Sequence, residues 1–206
     1  NLGGLFGAKG DLTAAEPLLR EAMEVLRETL GARHPTTLSA IDNLGTLLKA
    51  KGDLAAAEPL FCEALELQRG TLGDRHPDTL NSIHNLGSLL NAKGEVAAAE
   101  LLFREAMEVS LDTLGDRHPN TLFSINSLGM LLQGKGDLAA AERLLREALE
   151  VRRETLGNRH PDTLTSIGNL GLLLQDKGDV DAAAPLLREC CIGYSALGRA
   201  SAALGI

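Results

Sequence analysis

Tryptophan is absent from this 206-residue chain, tyrosine occurs once and phenylalanine four times. A core without large rings has to be built from Leu, Ala, Ile and Val, which suits helix-on-helix packing and leaves no large aromatic pocket. The three cysteines, Cys62, Cys190 and Cys191, make neither an even disulfide framework nor a spaced metal motif, so reduced, structural thiols are expected. No apolar run approaches the roughly 18 residues of a membrane span, and the first residues lack the basic-then-apolar order of a secretion signal. A soluble, cytoplasmic protein without a membrane partner is the expectation. Cations are outnumbered: 20 Lys and Arg against 28 Asp and Glu give a net charge of -8. Phosphate binding needs clustered cations, so nucleic acid is excluded as the main partner, although a local basic strip stays open.

Periodicity dominates what is present. Gly10, Gly52, Gly94, Gly136 and Gly178 lie 42 residues apart, as do His34, His76, His118 and His160. The stretch from Asp53 to Gly94 matches that from Asp137 to Gly178 at 30 of 42 positions. Such self-similarity is the mark of a repeat array. We read residues 1–206 as one array with units at approximately 1–34, 35–76, 77–118, 119–160 and 161–206. Asn1 falls on the phase of Asn43, so the first unit is expected to be incomplete.

Each unit reads as two helices. Pro77 suits the first helical position, where its missing N–H costs nothing, and Asp78 suits the positive end of the helix dipole. Helix A then shows an apolar stripe at Leu80, Ile83, Leu86, Gly87 and Leu90, and Lys93-Gly94 ends it. Asp53 is an N-cap candidate for helix B, whose stripe is Leu54, Ala57, Leu60, Phe61, Ala64, Leu65 and Leu67. Gly45, Gly87, Gly129 and Gly171 recur inside helix A, where each costs roughly 1 kcal/mol against Ala, so a close approach of a neighbouring helix is expected there. One thin hairpin cannot bury its apolar face alone; units must stack.

The order Leu44, Gly45, Leu48, Gly52, Ala57, Phe61, Ala64 resembles the tetratricopeptide repeat signature, with Leu in the place of its Tyr. The "AAAEPLF" of Ala55 to Phe61 and the "LGDRHPDT" of Leu72 to Thr79 are similar to the 42-residue variant of kinesin light chains. The resemblance implies an all-α, right-handed superhelical solenoid of antiparallel helix pairs, with helix A lining a groove that holds peptides or other proteins. It further implies a non-enzymatic scaffold. The sequence contains no phosphate loop and no nucleophile elbow, and no cofactor is expected.

Within that frame Asn43, Asn85 and Asn169, with Ser127 in the fourth register, form a recurring polar position on helix A. Family resemblance implies that these amides face the groove and hold the backbone of an extended ligand; the alternative is that they bond to the neighbouring helix and set repeat spacing. Positions that differ between units would provide selectivity: Ser39, Asn81, Phe123 and Thr165; Asp42, His84, Asn126 and Gly168; Thr46, Ser88, Met130 and Leu172. Lys49, Asn91, Gln133 and Gln175 continue the polar strip with one cation, too few to transfer the basic grooves of some relatives. Phe123, Met130 and Leu172 suggest an apolar patch, or else packing against an adjacent helix.

The histidines are expected to order the junction before Pro rather than bind metal, because equivalent helices about 10 Å apart cannot bring parallel side chains onto one ion. Arg33, Arg75, Arg117 and Arg159 are expected in exposed ion pairs, with a basic groove edge as the alternative. After Leu187 the pattern drifts into "CCIGYSALGRASAALGI", where Ile192, Leu197 and Leu204 would seal the stack or mediate end-to-end self-association. Besides a peptide or protein ligand of the groove, the sequence leaves open a structural spacer, a self-assembling solenoid, or a sensor segment of a larger signalling protein.

Overall fold

The computed structural model describes residues 12–204, and side chains through Gly198. Asn1 and the stretch read from sequence as the end of a first helix A lie outside the described residues, as does the side chain of Leu204. Among the described residues there are nine helices and no strand: α1 (Leu12–Leu30), α2 (Pro35–Ala50), α3 (Leu54–Leu72), α4 (Pro77–Ala92), α5 (Val96–Leu114), α6 (Pro119–Gly134), α7 (Leu138–Leu156), α8 (Pro161–Asp176) and α9 (Val180–Leu204). Two compact units form, Asn1–Val109 and Ser110–Ile206. In the first, α1 packs on α2, α2 on α3 and α3 on α4; in the second, α6 packs on α7, α7 on α8 and α8 on α9. Helix A also touches helix A, α2 with α4 and α6 with α8.

Each helix A starts at a His-Pro junction. His34, His76, His118 and His160 are N-caps whose Nδ1 accepts the backbone N–H two residues on, at 3.1–3.2 Å. The repeated histidine therefore fills an orphan donor. Helix B is capped by aspartate: Asp53 and Asp137 Oδ1 each accept from an N–H three residues on at 3.1 Å. Gly73 and Gly157 close the 19-residue helices at φ near +84° and +82°, a conformation that Cβ would strain. The last helix lacks this break and runs through Gly198 to Leu204.

The repeated glycine of helix A meets its own hairpin partner. A Cβ on Gly45 would lie 2.7 Å from the Phe61 ring, one on Gly87 2.8 Å from Phe103, and one on Gly129 2.9 Å from Leu145. A helix B side chain thus lies directly on helix A backbone and makes the closest approach; at Gly129 the Ala141 carbonyl oxygen is also near, 3.6 Å from the added Cβ. Alanines at 57, 99, 106, 141 and 148 are fully buried and let the helices nest. Buried threonines tie successive hairpins: Thr37 Oγ1 donates to Leu26 O at 3.2 Å and Thr121 Oγ1 to Ser110 O at 3.2 Å.

Ion pairs lace the outer faces. Arg27 reaches Glu63 at 2.9 Å, Lys93 reaches Glu58 at 2.8 Å, and Arg153 reaches Glu189 at 2.7 Å. Arg117 pairs with Glu154 at 3.0 Å. Exposed pairs of this kind contribute about 0–1 kcal/mol each. The cysteines are free; Cys62 and Cys191 are exposed although Cys191 occupies the Leu65 phase, because no helix covers that face of α9 among the described residues.

Candidate functional site

The helix A face of the first unit is polar. Ser39, Asn43, Thr46, Asn81 and Asn91 are exposed along α2 and α4. Ser39 Oγ is turned back onto Pro35 O at 3.0 Å. Lys49 is half-buried, and its ammonium donates to the Ser88 hydroxyl. Burial pulls the Lys49 amine below its ordinary range, and no carboxylate neutralises it among the described residues.

Beneath this face lies a hydrogen-bonded cluster centred on Asp42. Ser82 Oγ donates to Asp42 Oδ2 at 3.1 Å, Gln68 Nε2 to Oδ2 at 3.3 Å and Asn85 Nδ2 to Oδ1 at 3.4 Å. Asn85 thus bonds to the neighbouring helix A, the alternative that its chemistry left open. Burial raises the Asp42 carboxyl above its ordinary 3.8, and the Ser82, Asn85 and Gln68 donors oppose that shift only in part. In the folded state Asp42 therefore holds its proton to higher pH than in the unfolded chain. Stability contributed through this group is then greatest at low pH and is lost as pH rises past 3.8. We expect Asp42→Asn to be neutral or stabilising at pH 7 and to flatten the stability profile just above pH 3.8, as read by urea unfolding across that range.

The second unit uses the same scaffold with different chemistry. Asn126 stands in the Asp42 position and accepts from Asn169 Nδ2 at 3.1 Å. Arg152 replaces Gln68: it is 5% exposed, and its Nη1 donates to Ser166 Oγ at 2.6 Å and to Asp162 O at 3.2 Å. Ser127 Oγ bonds back to Phe123 O at 2.9 Å, and Gln133 Nε2 donates to Asp176 Oδ2 at 2.5 Å. Thr165 is met by Tyr194 from α9, oxygen to oxygen at 2.8 Å.

Several selectivity positions are not on the surface. His84 is 6% exposed and Asn126 8%, and Asp42 is half-buried and enclosed by its donors; Gly168 is half-buried as well. The reason is the 3.6-residue turn, which swings that position beneath the face and into the contact with helix B. The outward positions are those of Ser39 and Thr46. In the second unit they carry Phe123 (49% exposed), Met130 (36%) and Leu172 (48%). Phe123 and Met130 lie two turns apart on one face of α6, and Leu172 takes the Met130 position on α8, which packs on α6. About half of Phe123 and of Leu172, and about a third of Met130, is open to solvent.

Gln68, Ser82, Arg152, Ser166 and Tyr194 were not among the residues singled out from sequence. The readable signal was a polar residue on the phase of an apolar stripe that differs in kind between units: Gln68, Ser110, Arg152, Tyr194. Among the described residues no group of His, Cys, Asp and Glu is placed to hold a metal ion, and no helix is long and apolar enough to cross a membrane.

The family model described as Tetratricopeptide repeat matches residues 1–70, 43–112, 79–154 and 121–191. The chain belongs to the tetratricopeptide repeat family. This TPR array is similar to a Podosopora anserina protein described by its kinesin light chain, nearly identical TPR-like repeats, at 27% identity and a TM-score of 0.77, covering 96% of this chain and 93% of that one. BtubC (BKLC) from P. vanneervenii is 22% identical with a TM-score of 0.76, over 96% of this chain and 78% of that one. The Rap conjugation gene regulator of plasmid pLS20, solved in complex with the Phr* peptide, shares the fold at 16% identity and a TM-score of 0.79, over 95% of this chain and 52% of that one. No curated protein sequence matches the TPR array.

Proposed function

We propose that this TPR array is a non-enzymatic scaffold that holds an extended peptide segment against its helix A faces. The observation that carries the reading is the solvent-facing apolar set Phe123, Met130 and Leu172 on helix A of the second unit, at positions where the first unit has Ser39, Thr46 and Ser88. Large apolar groups on a face otherwise lined with Asn, Ser and Thr suit the capture of one or two apolar side chains. The peptide bound by the Rap regulator of the same fold supports the choice of ligand class.

On the helix A face of the first unit, taken by itself, the exposed Asn43 and Asn81 would offer a peptide backbone both a donor and an acceptor. Asn85 and Asn169 would act mainly through the spacing of helix A neighbours, given their bonds to Asp42 and Asn126. Selection from a random peptide library on the folded array should enrich sequences with Leu, Met or Phe. A counter-screen uses Phe123→Ser/Met130→Ser/Leu172→Ser at a temperature below its thermal midpoint, which the loss of the covered half of each side chain should lower, with helicity by circular dichroism confirming the fold. Losing about 1 kcal/mol of apolar contact at each of two or more positions predicts a loss of at least tenfold in affinity. Selected peptides that bind the triple variant equally well would remove the helix A reading.

A further inference from the structure

A second site lies in the second unit and shares no residue with the helix A set. It is a cleft of about 510 Å³ between the turn after α7 and the outer side of α9, lined by Arg159, Arg188 and Glu189 around an apolar floor of Leu164, Pro185 and Ile192. That volume is in the range of small-molecule sites.

Arg188 differs from its equivalents elsewhere in the chain, and Arg159 differs from Arg117. Arg20, Arg104 and Arg146 share the phase of Arg188, and each is held by a glutamate four residues earlier, Glu16, Glu100 and Glu142, at 2.9, 2.7 and 2.7 Å. At that place before Arg188 stands Ala184, and the Arg188 Nε donates only to the Ala184 carbonyl at 3.3 Å. Arg117 shares the phase of Arg159 and is held by Glu154; the equivalent position for Arg159 is Ala196. Arg159 makes no ion pair or hydrogen bond among the described residues. The one carboxylate in the cleft, Glu189, is taken up by Arg153 at 2.7 Å. Finally Ile192 replaces the glutamate that Glu66, Glu108 and Glu150 provide at that phase. Three positions that are acidic in other repeats are Ala, Ala and Ile here: two leave the guanidiniums of Arg188 and Arg159 without the partners of Arg146 and Arg117, and Ile192 makes the lining apolar.

We infer that this cleft binds a small organic anion, a carboxylate or sulfonate carried on an apolar body. The guanidinium fork matches a two-oxygen acid, and such charge-assisted hydrogen bonds are about twice as strong as neutral ones. The floor takes the body. A polyanion does not fit, because the chain carries a net charge of -8 and two arginines do not make a phosphate-tracking surface.

The test is a fluorescence titration with 8-anilinonaphthalene-1-sulfonate, an acid on an apolar body, at low ionic strength. Wild type should show one saturable site that decanoate competes for. Ala184→Glu/Ala196→Glu puts back the acids of the other repeats without removing any arginine, and should weaken binding at least tenfold. Arg159→Gln/Arg188→Gln should do the same. Ala97→Glu/Ala139→Glu adds the same two charges on exposed positions of α5 and α7 and should change affinity less than twofold. Absence of saturable binding, failure of decanoate to compete, equal affinity in either cleft variant, or equal loss in the charge-matched control would each overturn the site.

Discussion

Replacing Phe61 with Ala should lower the stability of the array by about 3–5 kcal/mol, the usual cost of truncating a buried ring. Phe61 is 1% exposed and lies on the backbone of α2 at Gly45. The site cannot relax readily, because Ala57 and Ala64 on the same face of α3 are already fully buried and have no side chain to swing into the gap. Coupling distinguishes this contact from ordinary burial. In the wild-type background Gly45→Ala drives a Cβ to 2.7 Å from the ring, and overpacking of this kind costs about 1–3 kcal/mol. Once the ring is gone the same substitution should be neutral or recover up to about 1 kcal/mol through helix propensity. Urea unfolding of the four members of the cycle reads the coupling; additive effects would mean that Gly45 is not there for Phe61.

His84 should impose the steepest pH dependence on stability. Its ring is 6% exposed and lies against Phe103 with centroids 5.6 Å apart. Burial brings its pKa down from 6.5 to about 4, so the folded chain keeps it neutral while the unfolded chain takes up a proton below 6.5. The unfolded state then binds more protons, and stability falls as pH drops from about 6.5 to about 4. A shift of that size corresponds to about 3 kcal/mol at the acid end of the window, with no contribution above neutral pH. Asn126 stands at this place in the next repeat. His84→Asn should remove most of the slope between pH 4 and 6.5, measured as the change in urea midpoint with pH. An unchanged slope would show that the ring is protonated in the folded state.

The helix pairs were readable because each signal was local and repeated: His-Pro before helix A, Asp before helix B, glycine after each. The Gly45 and Phe61 pairing was half-readable, since the glycine announced a close approach but not which neighbour made it. The buried polar cluster was not readable as a unit. Asp42 draws its donors from Gln68, Ser82 and Asn85, 26, 40 and 43 residues away, and no local pattern joins residues on three helices. Burial also sorts positions that sequence grouped together: His84 and Asn126 turn inward, whereas Phe123 and Met130 turn out. The continuous α9 had no forewarning beyond the loss of the His-Pro junction. "SALG" there resembles the helix-ending "TLG", yet Gly198 stays helical with no capped turn after it.

The central claim is that ligand sits on the helix A face. Its most direct test is photo-crosslinking of a library-selected peptide to arrays carrying p-benzoylphenylalanine either in place of Phe123 or in place of Arg143, which is exposed on α7. Labelling concentrated at the Phe123 position, and suppressed by excess unlabelled peptide, is the predicted result. Equal or stronger labelling from the Arg143 position would contradict the account.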